Sequence, residues 1–151
     1  MTTPSFSFGA RAFQRLEALR AYTDEPGKIT RLYLSPAHIR SIDFIVEEMR
    51  KAGCDSVHVD ALGTVVGRYE GKTSGLPALL IGSHIDSVPH GGNYDGDVGS
   101  LGAIEVARAL QGAGVSLRHP LEVVIWSDEE GGRYYLGSFG SDAAAGNLPA
   151  G

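Results

Sequence analysis

Lysine and arginine are scarce and nowhere form a block: the 151 residues hold 13 of them against 18 aspartates and glutamates, a formal net charge of −5. Without a basic patch the chain offers no electrostatic footprint for a phosphate backbone or an anionic lipid surface, so no nucleic-acid partner is expected. There is one cysteine, Cys54, which rules out an intramolecular disulfide. Set between Gly53 and Asp55 at a helix-to-strand join, it reads as a small packing residue rather than a nucleophile. No apolar run reaches the roughly 20 residues that a membrane span needs, and no secretory leader is evident, so no membrane partner is expected and a reducing cytoplasm is the expected compartment. Internal repeats and low-complexity tracts are missing too. What is present is 42% hydrophobic and 21% charged residues, ordinary for a globular domain. The one excess is glycine, 21 residues, gathered after residue 60 where the candidate chemistry lies.

Residues 1–8 show no period and are expected to be a flexible lead-in. Over 9–22, Ala12, Leu16 and Leu19 recur at helical spacing. Ser35-Pro36 supplies an N-cap and a first-turn proline, Ile42, Ile45, Val46 and Met49 continue the helical period, and Gly53 stops it. The period then switches to two at Val57 and Val59, and Gly63 introduces Thr64-Val65-Val66, so a hairpin or meander is expected. Two predominantly apolar runs, 78–81 and 121–126, predict strands covered on both faces. Between them Val98, Leu101, Ile104 and Leu110 predict a helix over about 98–112, stopped by Gly112 and Gly114. Strand, loop, helix and strand in this order predict an α/β fold whose site gathers at the carboxyl ends of the strands.

Three polar clusters fall at those ends. His84 and Asp86 follow the first apolar run in Gly82-Ser83-His84-Ile85-Asp86. If the extended geometry persists, the carboxylate reaches behind the imidazole and fixes which nitrogen is free for a metal. Asp95 lies in Gly91-Gly92-Asn93-Tyr94-Asp95-Gly96-Asp97; its two oxygens can bridge a pair of cations about 3.5–4 Å apart. Asp97 reads as the N-cap of the following helix. Glu129 and Glu130 close the second run in Ser127-Asp128-Glu129-Glu130-Gly131. Adjacent acidic groups repel and call for a compensating cation, while hydrolysis needs one glutamate to coordinate and its neighbour to carry a proton. Taken singly, each cluster reads as a solvated turn or strand end rather than a site. Together, at the carboxyl ends of predicted core strands, they converge on a metal-dependent hydrolase. His38, His58, His90 and His119 read as surface, packing or loop residues, and the role of Arg133 is left open.

At these residues the chain resembles the amidohydrolase branch of the zinc aminoacylase and carboxypeptidase G superfamily, the N-carbamoyl-L-amino-acid hydrolases and allantoate amidohydrolases. The stretches that carry the likeness are Thr30-Arg31-Leu32, Gly82-Ser83-His84-Ile85-Asp86-Ser87-Val88, Gly91-Gly92-Asn93-Tyr94-Asp95-Gly96 and Asp128-Glu129-Glu130-Gly131-Gly132-Arg133-Tyr134, followed by Gly137-Ser138 through Gly146. They run in order from about residue 11 to 148. The resemblance implies a mixed sheet flanked by helices, part of a zinc-exopeptidase-like catalytic domain. It makes His84 and Glu130 ligands of two divalent ions, zinc or manganese, with Asp95 bridging them. Glu129 becomes the general base and Asp86 the partner of His84. A small ureido or amide substrate is implied, hydrolysed at a linear C–N bond. A cis peptide is expected between Asp95 and Gly96.

The family pattern has five ligand positions, of which three are matched here, and no histidine follows His119. Asp97 stands where the pattern often has proline. The resemblance therefore implies that residues 9–151 are the N-terminal portion of a catalytic domain, without the lid and dimerisation domain or the C-terminal part, and with little activity alone; full-length relatives are expected to be homodimers. The alternatives are a non-catalytic remnant serving as a binding or assembly module, and a peptidase of the same superfamily.

Overall fold

The computed structural model describes residues 8–148. The expected lead-in therefore falls outside the described residues except for Phe8, which already opens the first helix, α1 (Phe8–Leu19). Leu16 and Leu19 of α1 are buried. The second helix, α2 (Pro36–Lys51), begins as its sequence requires: the Ser35 hydroxyl accepts the His38 N–H at 3.2 Å, and Pro36 occupies the first turn. Gly53, at φ 85°, turns the chain out of it.

Strands β1 (Ser56–Val59) and β2 (Val65–Tyr69) pair antiparallel, as the alternation predicts. Then come β3 (Leu79–His84), α3 (Asp97–Gly112), β4 (Leu121–Trp126) and the short α4 (Phe139–Ala144). The sheet is four-stranded and mixed, in the order β1-β2-β4-β3, with β3 and β4 parallel. Helix α3 is the crossover that parallel neighbours require. The core gathers Leu16 and Leu19 of α1, Ile45 and Met49 of α2, Leu101 and Ile104 of α3, and Val65, Val123 and Ile125 of the sheet. Gly67 lets α2 approach: a Cβ there would lie 2.8 Å from both Cys54 Sγ and Met49 Sδ. Half-buried Cys54 is thus a packing residue, and burial pushes its thiol pKa up. Among the described residues no helix is long and apolar enough to cross a membrane.

One strand expectation fails. The run 78–81 predicts a strand covered on both faces, and β4 is covered so, but β3 forms the sheet edge with Leu79 50% and Leu80 57% exposed. An apolar run records that a strand is to be covered, not what covers it.

His38 is buried, 1% exposed, with its ring edge-on to Tyr33 at 5.6 Å. Burial pushes its imidazole pKa down to about 4, against the pull of Asp86 and Asp24 and with the help of Arg31. The unfolded chain protonates this residue near pH 6.5 and the native chain only near 4, so its contribution is complete above 6.5 and is lost as pH falls towards 4. The carboxyls of Asp97 and Asp128, raised to about 6 first by burial, act in the opposite sense. The His38 effect is therefore read as a difference between wild type and His38→Gln in urea unfolding. That difference is expected to shift against the wild type by about 3 kcal/mol between pH 7 and pH 4; a difference flat across this range would show that the ring is not held neutral.

Candidate metal centre

Strands β3 and β4 end side by side, His84 opposite Trp126 in the parallel register. The segments leaving these two tips, and the turn that enters α3, carry all the polar groups singled out by the sequence. His84, Asp95 and Glu130 each present a donor atom, and the three atoms lie within 4.8 Å of one another. His84 Nε2 is 4.0 Å from Asp95 Oδ1 and 3.5 Å from Glu129 Oε2. His84 is nearly buried, whereas the side chains of Asp95 and Glu129 are 65% and 42% exposed, so the donors line an open mouth with the imidazole at its floor. The groove lined by Tyr69, Leu110, Leu117 and His119 lies at the opposite end of the strands, beside Leu121.

The imidazole is oriented from two sides. Its Nδ1 lies 3.0 Å from the Asp86 carbonyl oxygen. A carbonyl only accepts, so Nδ1 carries a hydrogen, and Nε2 is the ring nitrogen that faces the carboxylates. Gly96 closes the other side: a Cβ there would meet His84 Cε1 and Nδ1 at 2.5 Å. The His84 carbonyl is in turn held by the Ser100 hydroxyl at 2.7 Å.

Asp86 works differently from the sequence-based expectation. Its backbone carbonyl, not its carboxylate, meets His84; the carboxylate oxygen nearest the ring is 3.7 Å away. The strand ends at His84, so the two-residue alternation does not extend to Asp86. Instead Oδ1 accepts the Glu129 N–H and Oδ2 the Glu130 N–H, each at 3.1 Å. One buried carboxylate therefore fixes the backbone of both glutamates by charge-assisted bonds.

Two other expectations are corrected. No peptide bond among the described residues is cis; the one after Asp95 is trans, and Gly96 makes the turn instead with φ 67°. Asp97 is not the N-cap, a place taken by Gly96, but the first residue of α3, and its buried carboxylate pairs with Arg31 at 2.9 Å. Arg133, whose role the sequence leaves open, gives its Nη1 hydrogen to the Tyr33 carbonyl at 2.9 Å. His90 engages Glu25 at 3.0 Å, while His119 meets the Pro77 carbonyl at 2.8 Å.

The donor set fits a divalent cation. It combines one imidazole nitrogen with carboxylate oxygens, a borderline set suited to zinc or manganese. The Glu130 carboxyl pKa is pushed up by burial, and the charges of Asp95, Glu129 and Asp86 add to the rise while His84 opposes it. A cation among these oxygens would relieve that repulsion.

The model of "Peptidase family M28" matches residues 64–149. An N-carbamoyl-L-amino acid amidohydrolase of Geobacillus stearothermophilus is 42% identical over 93% of this chain and 34% of its own length. An allantoate deiminase of Glycine max is 41% identical over 91% of this chain and 29% of its own. A crystal structure of a hydantoinase/carbamoylase family amidase from Burkholderia ambifaria superposes with a TM-score of 0.88 at 38% identity, covering 93% of this chain and 34% of that one. The chain thus spans about a third of the length of the curated relatives it matches.

Proposed function

The chain belongs to peptidase family M28, and from that premise we propose that it acts as a metal-dependent hydrolase of linear amide or ureido C–N bonds, of the N-carbamoyl-L-amino acid or allantoate type. The observation that carries this reading is the convergence of His84, Asp95 and Glu130 at the ends of two parallel strands. These residues would hold two divalent ions, zinc or manganese, with Asp95 between them. When bound, the ions would supply positive charge that polarises the scissile carbonyl and lowers the pKa of water.

Glu129 is the general base. Its carboxylate stands at the open mouth, 3.5 Å from His84 Nε2, where it can take a proton from the attacking water and deliver it to the leaving nitrogen. Asp86 sets the direction of this carboxylate and of its neighbour through their amides. The exposed edge of β3 supports reading residues 9–151 as the N-terminal portion of a catalytic domain whose sheet continues in a longer polypeptide.

Calorimetric titration of the 151-residue chain with zinc tests the site. The wild type is expected to bind. Glu130→Ala should weaken binding by more than about 100-fold, beyond the cost of losing an outer hydrogen-bond partner, and Glu129→Gln should leave it intact. Absence of binding by the wild type overturns the reading. With zinc or manganese added, turnover of N-carbamoyl amino acids and allantoate by this chain alone is expected to be slight, because a site of three protein donors holds its ions incompletely.

A further inference from the structure

Among the described residues Arg31 is the largest fully buried side chain, 0% exposed, and none of its guanidinium hydrogens is idle. Nε donates to the Tyr22 carbonyl at 2.9 Å. Nη1 donates to the Ile85 carbonyl at 2.8 Å and to Asp97 Oδ1 at 2.9 Å. Nη2 reaches the Leu19 carbonyl at 3.2 Å and Asp97 Oδ2 at 3.4 Å. Its backbone joins the same segment, the N–H donating to Ser87 Oγ at 2.9 Å and the carbonyl accepting the Ser87 N–H at 3.0 Å.

Stability alone is a poor account of such a pair. Burying two charges costs several kcal/mol per ion, and well-packed apolar replacements are often equally stable. Its placement accounts for it better. Ile85 lies between His84 and Asp86 in the chain. Asp97 lies two residues beyond Asp95, and its N–H bonds back to the Asp95 carbonyl at 2.6 Å. The rigid guanidinium fork thus spans from the tip that carries His84 to the turn that carries Asp95.

We propose that Arg31 and Asp97 form a positioning clamp, which fixes the separation of His84 and Asp95 and thereby sets the affinity of the site for a divalent cation. The clamp rests on the metal-binding reading given above. Neither residue is a donor; both act through the backbone on either side of the donors.

The test uses zinc titrations of the 151-residue chain at temperatures well below its unfolding midpoint, with the cobalt(II) absorption spectrum as a second readout. Asp97→Asn keeps the shape of the side chain and removes its charge. Arg31→Met removes the fork, and Arg31→Lys restores the charge without it. The folded Asp97→Asn chain is expected to bind zinc about 10–100-fold more weakly, the usual cost of losing a group that orients ligands. Its cobalt bands should shift, and Arg31→Lys should fail to restore affinity. A purely structural pair would lower the unfolding midpoint and leave the affinity of folded protein unchanged, and that result overturns the clamp. Should Arg31→Met fail to fold, Asp97→Asn decides. Wild-type protein that does not bind zinc overturns the metal reading and the clamp together, whereas wild-type binding with undiminished binding by Asp97→Asn overturns the clamp alone.

Discussion

Alanine at Gly96 is expected to lower zinc affinity by more than about 100-fold, the upper end of what losing a ligand-orienting contact costs, while the rest of the molecule stays folded. Two effects combine. Gly96 has φ 67° and ψ −49°, a γ-turn conformation that a residue with a side chain adopts rarely and under strain. The added carbon would also fall 2.5 Å from two atoms of the His84 ring and 2.6 Å from Nε2 itself. Either the turn opens and takes Asp95 with it, or the imidazole rotates away from the carboxylates; both outcomes break the donor set. Gly92 in the same loop is the control, because a Cβ there meets nothing nearer than Asp95 Cβ at 3.7 Å. Gly92→Ala should bind zinc as the wild type does. Equal affinity in wild type and Gly96→Ala would mean that this turn does not fix the ring.

What could be read in the sequence was what local chemistry encodes. The cap, the first-turn proline, the helical period and the terminal glycine of α2 all lie within one short segment, and the helix forms where they place it. His84, Asp95 and Glu130 were legible as a group because each follows or precedes an element whose period is clear, and a parallel pair joined by a helix brings those ends together. The clamp was not legible. Arg31 and Asp97 are 66 residues apart, and the local signal at Asp97, an acidic residue opening a helix, pointed to a cap. That Asp86 meets the imidazole with its carbonyl rather than its carboxylate depends on the strand stopping at His84, and apolar periodicity does not mark that residue. The trans bond after Asp95 overturns an expectation that came from resemblance alone, since nothing in the residues themselves required a cis peptide. Exposure of Leu79 and Leu80 likewise could not be foreseen, because strand order is a property of the whole sheet.

One substitution at two glycines should have opposite effects. Gly82 lies on β3 in parallel register with Val124 of β4, and a Cβ at Gly82 would overlap the Val124 carbonyl oxygen and lie 2.7 Å from its carbonyl carbon. The obstacle is the backbone of a covered strand, with Val124 2% exposed, so no side-chain rotation relieves it. β3 would have to part from β4 along the register that ends in His84 opposite Trp126, and the candidate metal site would lose its imidazole. Gly82→Ala is expected to give protein without a cooperative unfolding transition and without zinc binding, a loss beyond the ~1–3 kcal/mol of ordinary overpacking. Gly102 sits within α3, where a Cβ would meet nothing within 4 Å. Alanine is the better helix former by about 0.8–1 kcal/mol, so Gly102→Ala should raise the thermal midpoint by roughly 3 °C and leave zinc affinity unchanged. Thermal unfolding followed by circular dichroism separates the two. A Gly82→Ala chain that melts like the wild type would show that β3 and β4 do not pair in this register, and with that pairing gone His84 would have no fixed place beside the carboxylates.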